Sequence, residues 1–382
     1  MRISALFGLV LAVSLLGCDP GNDDQTAVFV TLLGTDTLAV EQFTYEPDGL
    51  RAKVVLRTPT TTVQDYRLML SPEGDFQRMD VAVAPPGQDT TLRRTFELIG
   101  DSLRLTQTRD GEATTRMLAG SADMLPFIDM VHWPFELMLS RAYTAAQDTV
   151  IQPLFTGGRT LPFRLTRTGD GTMEARHPSR GPMQVAVDDE GKLLRLDAGA
   201  TTRKVVVTRQ PSMRLDGVAQ RFAQRDAAGR SFGALSGRGE TIATVDGATI
   251  TVDFGQPLRR GRAIWGALVP FGEVWRTGAN RATHFTTTAD LDVGGLAVPA
   301  GTYTLFSIPE ADGGTLIINK ETGQGGRSHD PAQDLGRVNA TIANLPSPVE
   351  AFTIAVLDLP EGGQLQIQWN EKAMVVPFSV VP

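Results

Sequence analysis

A segment in the C-terminal half of the chain concentrates arginine, a side chain suited to binding carboxylates and phosphates. Between residues 259 and 281 the sequence has a single acid, Glu273, and five of the ten lysines and arginines of residues 233–382. These five are Arg259, Arg260, Arg262, Arg276 and Arg281. A planar guanidinium group can donate two parallel hydrogen bonds to an oxyanion, whereas a lysine offers a point charge. The segment 253–284 therefore predicts an anion-binding loop.

Aromatic and amide side chains lie among these arginines. Trp265 and Trp275 could stack on a sugar ring or cover the guanidinium groups. The candidate binding residues are Arg262, Arg276 and Asn280 as polar contacts, Trp275 as an apolar wall, and Arg259 and Trp265 beside them. The alternative is structural, with arginines paired to Asp253 and Glu273 and with tryptophans that fill the end of a β-sandwich.

The same segment holds two residues capable of acid–base chemistry. Asp253 lies on the predicted strand before the arginines, and His284 lies at the start of the strand after them. A histidine and a carboxylate within hydrogen-bond distance can act together as a general base. This pair suggests catalysis as an alternative to simple binding. The competing interpretation is that His284 is a structural residue of its strand.

The N-terminus has the pattern of an exported, lipid-modified protein. Arg2 precedes a largely apolar run over residues 3–16, shorter than the roughly 20 residues that a membrane-spanning helix needs. The run ends at Leu15-Leu16-Gly17-Cys18, which resembles the bacterial lipobox. The resemblance implies cleavage before Cys18 and acylation of its thiol, so residues 1–17 form a signal peptide and residues 18–25 an acidic tether. Several acyl chains would hold the protein on a membrane, facing the periplasm or the cell exterior.

Composition excludes several classes of protein. The length of 382 residues favours two domains, and 41% apolar residues are enough to build their cores. The net charge of −7 provides no electrostatic basis for nucleic-acid binding. A single cysteine excludes a disulfide framework and a site with several thiolates, and the four histidines form no local metal motif. We therefore expect no metal and no cofactor.

Apolar residues at every second position predict a mainly β protein. In residues 26–210 they alternate with polar residues between turns such as Pro47-Asp48-Gly49, which predicts a curved antiparallel sheet. Residues 121–146 depart from this pattern, because Pro134 separates two stretches of helical spacing. The first stretch contains Met124, Phe127, Ile128 and Val131, and the second contains Phe135, Met138, Leu139 and Ala142. We predict that the sheet buries a helical pair here.

Two further regions follow the N-terminal sheet. Residues 211–240 read as a junction with a short helix near residues 216–226, followed by glycines and small residues. Residues 241–382 contain about eight short strands and almost no helical periodicity. We predict that this second domain is a β-sandwich or a jelly roll.

Five phrases in the second domain form a distinctive pattern. They are Asp253-Phe254-Gly255-Gln256-Pro257, Gly261-Arg262, Trp275-Arg276-Thr277-Gly278-Ala279-Asn280, Pro299-Ala300-Gly301-Thr302-Tyr303-Thr304-Leu305-Phe306 and Asn319-Lys320. The pattern resembles a bacterial exported family known as domain of unknown function 2911, over about residues 240–380. This resemblance implies export and brings no established activity.

Together these observations predict a lipid-anchored protein of the bacterial cell envelope that acts as a non-catalytic binding or accessory module. Its partners would be a membrane, through Cys18, and an anionic small molecule, a glycan or an envelope protein, at the loop 253–284. One alternative is a hydrolase of envelope glycans or esters that uses Asp253 and His284. Another is a carrier of an apolar or lipid ligand in the N-terminal sheet, which needs an apolar cavity on the order of several hundred Å³.

Overall fold

The computed structural model describes residues 25–382, which form two β domains with a helix between them. Cys18, the predicted signal peptide and all but the last residue of the predicted tether lie outside the described residues. The prediction of a mainly β protein with two sheets is confirmed.

The N-terminal domain is one sheet of fifteen strands within the described residues. Its strands are β1 (Thr26–Leu33), β2 (Asp36–Glu46), β3 (Gly49–Leu56), β4 (Thr62–Leu70), β5 (Phe76–Ala84), β6 (Leu92–Ile99), β7 (Ser102–Arg109), β8 (Glu112–Ala119), β9 (Leu125–Pro126), β10 (Thr149–Phe155), β11 (Thr160–Gly169), β12 (Thr172–His177), β13 (Gly181–Val187), β14 (Leu193–Asp197) and β15 (Val205–Gln210). Strand β1 pairs with β15, so two antiparallel meanders, β1 to β8 and β10 to β15, run outward from the centre.

The two arms of this sheet curl toward each other around a shared apolar core. Phe155 on β10 lies with its ring centroid 4.8 Å from that of Phe76 on β5 and 5.3 Å from that of Phe96 on β6. These strands are far apart in the order of the sheet, so only a strongly curved sheet brings them together. Helix α1 (Trp133–Thr144) completes the core inside the curve.

Two fully buried carboxylates attach α1 to the sheet. Glu41 on β2 accepts hydrogen bonds from the backbone N–H groups of His132 (2.8 Å) and Trp133 (2.9 Å). It thereby satisfies donors that the first turn of a helix leaves unpaired and complements the positive end of the helix dipole. Glu136 accepts a hydrogen bond from the backbone N–H of Leu193 (2.9 Å) and forms an ion pair with Arg209.

The predicted helical pair is wrong in its first half. Residues 121–132 form turns and the two-residue strand β9, which pairs with β10 in parallel. Pro126 has no N–H to donate within a helix, and Met130 adopts a left-handed φ of 66°. Pairing with β10 therefore prevails over the helical spacing of the apolar residues. Pro134 lies in the first turn of α1, where a missing N–H costs nothing.

Helix α2 (Leu215–Ala227) lies on the opposite face of the N-terminal sheet, at the position predicted for the junction helix. Its buried Leu215 and Val218 pack against Val28, Val40 and Val55 of β1 to β3. The alternation of side chains along a strand explains how a single sheet supplies apolar residues to α1 on one face and to α2 on the other.

The C-terminal domain is a sheet of nine strands in the described chain. They are β16 (Ser236–Val245), β17 (Ala248–Pro257), β18 (Thr283–Thr287), β19 (Leu291–Val293), β20 (Leu296–Val298), β21 (Gly301–Pro309), β22 (Gly314–Asn319), β23 (Asp334–Leu359) and β24 (Gly362–Val380). Strands β23 and β24 pair with each other, and their register shifts near Asn344 and Val349. The sheet folds over a single core, in which Phe254 of β17 contacts Phe352 of β23 at 5.6 Å between ring centroids.

Burial of His177 makes the stability of the N-terminal domain depend on pH. Burial, followed by the positive charge of Arg180, lowers the pKa of His177 from 6.5 to about 4. Arg159 and Arg203 add to this lowering, and the negative charge of Asp129 opposes it. Between these two pH values the unfolded chain binds a proton that the folded chain excludes. We therefore expect the free energy of unfolding to fall by roughly 2 kcal/mol, allowing for solvent screening, as the pH drops from 6.5 to 4.

The control for this prediction is His177→Phe, which keeps a ring between the neighbouring aromatic side chains. Urea unfolding of the parent and the variant at a series of pH values isolates the contribution of His177, because every other titrating group is common to both. The variant is expected to lose this part of the pH dependence. Parallel curves for the two proteins would show that His177 does not cause it.

Candidate functional site

The arginine-rich segment forms a long loop, residues 258–282, between β17 and β18. Leu258 forms a β-bridge with Ala351, and the backbone N–H groups and carbonyls of Trp275 and Ser307 pair reciprocally at 2.7 and 2.8 Å. The loop is thus fixed to β23 near its start and to β21 near its end. These contacts give its side chains defined positions, which a binding site requires.

A close backbone approach shapes the end of the loop. The turn at residues 277–280 lies against Gly255 of β17, where a Cβ atom, if one were present, would be 1.7 Å from the carbonyl oxygen of Ala279. Thr277 is fully buried, its hydroxyl lies 2.9 Å from that of Ser307, and its carbonyl accepts a hydrogen bond from Thr283. The family phrases around Gly255 and Thr277 therefore meet in space and position the side chains of Arg276 and Asn280.

Arg260 connects the loop to the N-terminal domain. Its guanidinium group donates hydrogen bonds to Asp36 (3.0 Å) and to the carbonyl of Phe232 (2.8 Å), and lies 3.7 Å from the centroid of the Phe232 ring. Its own carbonyl accepts a hydrogen bond from the backbone N–H of Thr35 (3.1 Å). With only 5% of its surface exposed, Arg260 is a structural contact between the domains.

A cleft of about 560 Å³ lies where this loop faces the N-terminal domain. Its walls contain six basic residues, three from each domain, and no Asp or Glu among the residues that the structure describes. The basic residues are Arg180, Arg203, Lys204, Arg262, Arg276 and Arg327. The volume lies within the range of small-molecule sites.

Four of the six basic side chains have no carboxylate partner. Asp129 forms ion pairs with Arg180 and Arg203, which partly neutralises these two. Lys204, Arg262, Arg276 and Arg327 have no carboxylate within 4.0 Å in the described part of the chain. The cleft therefore has an excess of positive charge, although the net charge of the whole chain is −7.

The cleft also depresses the pKa values of Lys204, Arg262 and Arg276. Burial and the nearby Arg262 lower the pKa of Lys204, which shows that charges from the two domains approach each other. Burial and the nearby Arg327 lower the pKa of Arg276 in the same way. Such like-charge crowding is unfavourable, and a bound anion would relieve it.

The hydrogen bonds of the two central arginines hold their guanidinium groups in place. Arg262 donates from Nε to the carbonyl of Arg259 (2.9 Å) and from Nη2 to the carbonyl of Leu258. Arg276 donates from Nη1 to the carbonyls of Asn280 (2.9 Å) and Gly325 (3.2 Å). Because backbone carbonyls are neutral acceptors, both groups keep their full charge while losing conformational freedom.

Tryptophans form the apolar part of the wall. Trp275 and Trp369 both line the cleft, with nearly parallel rings at 6.3 Å between centroids. Trp369 is buried, and Phe352 packs against both rings. The tryptophans therefore close the end of the sandwich and also present a surface to the cleft, so both interpretations of the sequence apply to them.

The structure brings four of the six candidate binding residues to the cleft and leaves two outside it. Arg262, Trp275, Arg276 and Asn280 line the cleft. Arg259 is absent from the lining and donates a hydrogen bond to the carbonyl of Arg262. Trp265 donates a hydrogen bond to the carbonyl of Trp369 (2.9 Å), behind the wall.

Among the described residues, 25–382, Asp253 and His284 do not form a hydrogen bond with each other. They are directly opposite each other on β17 and β18, but Asp253 accepts hydrogen bonds from Arg238 (2.7 Å) and Arg281 (3.3 Å). His284 accepts one from the backbone N–H of Gly323 (3.2 Å). Each of the two side chains therefore has hydrogen-bond partners other than the opposite residue.

Five basic or aromatic residues of the cleft were not among the candidates predicted from the sequence. Arg180, Arg203 and Lys204 lie in turns of the N-terminal domain, before β13 and β15. Arg327 and Trp369 come from other parts of the C-terminal domain. The adjacent pair Arg203-Lys204 was the single local signal, and it did not indicate that these turns face the other domain.

Two general features complete the description of the site. No group of three His, Cys, Asp or Glu residues that could hold a metal ion occurs among residues 25–382. Over the same range, no helix combines the length and apolar character needed to cross a membrane.

Comparison with known proteins supports the resemblance seen in the sequence. The model of a family described as protein of unknown function (DUF2911) matches residues 236–378. No curated protein matches the chain.

Solved structures give only distant likenesses. The crystal structure of a DUF1089 family protein from Pseudomonas aeruginosa is 14% identical and covers 49% of this chain and 95% of its own, with a TM-score of 0.31. A structure of botulinum neurotoxin type C, described by the dependence of cell entry on two ganglioside molecules, is 7% identical over 94% of each chain, with a TM-score of 0.14. The part of the chain that supplies Arg262, Trp275, Arg276 and Asn280 is thus similar, over residues 236–378, to a family of proteins of unknown function, DUF2911.

Proposed function

We propose that this protein is a lipid-anchored binding module of the cell envelope whose interdomain cleft holds a small multivalent anion without catalysing its conversion. The observation that carries the proposal is the group of four basic side chains, Lys204, Arg262, Arg276 and Arg327, that share one cleft without a carboxylate partner among the described residues. Basic residues so close together are unfavourable in the free protein, which supports a role in binding negative charge.

The chemistry of the walls supports phosphorylated or carboxylated small molecules as ligands. Arginines with fixed guanidinium groups bind such oxyanions through charge-assisted hydrogen bonds. Trp275 offers an apolar surface next to them, suited to the ring of a sugar. A sugar phosphate combines these two features in one molecule.

The composition of the cleft supports binding rather than acid–base catalysis. Its described lining contains no Asp, Glu, His or Cys, the side chains that most often transfer protons or attack substrates. Asp253, the carboxylate of the catalytic alternative, is engaged by two arginines outside this cleft.

A titration of the full chain tests the proposal. Fructose 1,6-bisphosphate, pyrophosphate and citrate serve as probes, fructose serves as a neutral control, and the fluorescence of Trp275 and Trp369 reports occupancy. We expect saturable binding of at least one anion, weakened by added salt because the charges are partly exposed, and no response to fructose. Absence of binding of all three anions at millimolar concentration would contradict the proposal.

The lipid anchor is the second part of the proposal and is tested separately. Replacing Cys18 by alanine is expected to abolish both incorporation of labelled fatty acid and cleavage before residue 18, because the thiol is the acylation site. Mass spectrometry of the mature N-terminus provides the direct measurement. A mature chain that begins elsewhere than at Cys18, with the variant processed as the parent is, would contradict the anchor.

A further inference from the structure

A second cavity, of about 410 Å³, opens on the inner face of the N-terminal sheet. Its floor consists of buried apolar side chains from both arms of the sheet: Met79, Val81, Phe96, Leu105, Phe155 and Leu161. Close packing leaves few voids larger than a water molecule in a protein interior, so an open space of this size above an apolar floor needs an explanation. Its volume is typical of small-molecule sites.

Arginines surround the mouth of this cavity. Arg94, Arg116 and Arg159 line it, and none of them has a carboxylate within 4.0 Å among the residues described. Arg94 donates a hydrogen bond to the side chain of Gln107 (2.8 Å), and Arg116 donates one to the carbonyl of Gly157 (3.2 Å). Asp129 and Arg180 also line the cavity and form an ion pair with each other. The cavity therefore joins an apolar floor to a rim on which arginines outnumber the single carboxylate.

A buried donor without a partner lies in the wall. His177 is 4% exposed and lines the cavity. Its Nδ1 accepts a hydrogen bond from the backbone N–H of Ser179 (3.1 Å), so the neutral ring carries its proton on Nε2. Within the described chain this Nε2 has no hydrogen-bond partner, and Phe127 and Phe163 pack against the ring. An unpaired buried donor is unfavourable, and an oxygen atom of a ligand would satisfy it.

We propose that this cavity binds a fatty acid, with the acyl chain on the apolar floor and the carboxylate among the arginines and His177. A neutral hydrocarbon would leave the arginines and the His177 N–H unpaired. A hydrophilic anion would leave the apolar floor uncovered. A single acyl chain with an acidic head satisfies both, and the site is distinct from the interdomain cleft, although Arg180 lies between the two.

Calorimetric titration with dodecanoate, below its micellar concentration, tests this inference. The chain from residue 18 onward carrying Cys18→Ala is used, so that neither the apolar signal peptide nor an acyl group of its own competes. We expect saturable binding of one dodecanoate per chain. Dodecyltrimethylammonium has the same chain length and the opposite charge, and is expected to bind at least tenfold more weakly. Failure of dodecanoate to saturate one site, or equal affinity for both amphiphiles, would overturn the inference.

Variants locate the bound molecule. Exchange of both Arg94 and Arg116 for glutamine is expected to weaken dodecanoate binding at least tenfold, and His177→Phe, which keeps the ring and removes the donor, several-fold. Arg93→Gln is the matched control, because Arg93 is the neighbour of Arg94 on the outer face of β6 and is exposed. Its affinity should equal that of the parent, and thermal denaturation confirms that each variant is folded.

A third variant separates this site from the cleft. Exchange of both Arg262 and Arg276 for glutamine should leave dodecanoate affinity unchanged, whether or not the cleft binds anions. Loss of dodecanoate binding in this variant would place the molecule in the cleft and overturn the inference. Parental affinity in the variant with Arg94 and Arg116 replaced would overturn it as well.

Discussion

Exchange of both Arg262 and Arg276 for glutamine is expected to weaken binding of fructose 1,6-bisphosphate about 100-fold, since each charge-assisted hydrogen bond that is lost costs about 1.5 kcal/mol or more. Glutamine keeps much of the length and polarity of arginine and removes its charge. The two arginines lie near opposite ends of the same loop. Their guanidinium groups are held in place by hydrogen bonds to backbone carbonyls. Fluorescence titration of the parent and the variant at the same ionic strength measures the effect.

The matched control for this variant is Arg259→Gln. Arg259 belongs to the same loop and carries the same charge, but its side chain does not line the cleft. The control is expected to bind with an affinity within about threefold of the parent, because charges outside the site act only through a screened field. A loss in the control as large as in the double variant would show that the general charge of the loop, and not the cleft, determines binding.

Replacement of Gly255 by alanine is expected to disrupt both the fold of the loop and the cleft. The new Cβ atom would lie 1.7 Å from the carbonyl oxygen of Ala279, a backbone atom that cannot move without displacing the turn at residues 277–280. That turn carries Asn280 and follows Arg276 directly. We expect the free energy of unfolding to fall by about 3 kcal/mol and anion binding to be lost together with the position of Arg276.

A neighbouring glycine provides the control for this prediction. Gly237 lies on β16, paired with Gln256, and a Cβ atom there would have its nearest contact at 3.9 Å. Chemical denaturation of Gly237→Ala should give a free energy of unfolding within about 0.5 kcal/mol of the parent value. Equal stabilities for Gly255→Ala and the parent would show that the turn tolerates displacement, and that the loop is less fixed than its contacts indicate.

Local patterns were sufficient to predict the class of fold but not its details. Alternation of apolar residues is a property of each strand, so the mainly β architecture followed from the sequence. The apolar residues of 121–131 have helical spacing, and a helix was therefore predicted there. In the structure this spacing reflects the packing of an irregular segment inside the curved sheet, where Pro126 pairs with β10. The long strands β23 and β24 differ from the short strands expected for this domain, because bulges interrupt the alternation of apolar residues along them.

Only the residues that the arginine-rich loop contributes to the cleft could be predicted from the sequence. An excess of arginine in an acidic domain is visible in sequence, and it indicated Arg262, Arg276 and their neighbours. Lys204 and Arg180 reach the same cleft because the domains dock through Arg260, and no spacing along the chain encodes that contact. Trp369 has the apolar neighbours of an ordinary core residue, so its second role at the cleft also depends on tertiary structure.

The central claim, that the interdomain cleft is an anion site, is tested most directly by locating an electron-dense oxyanion. Crystals of the full chain soaked in tungstate would give an anomalous difference map in which the tungsten marks the bound anion. An anion site in the cleft predicts a peak within hydrogen-bond distance of the guanidinium groups of Arg262 and Arg276. A map with peaks only at other surfaces, and none in the cleft at saturating tungstate, would contradict it.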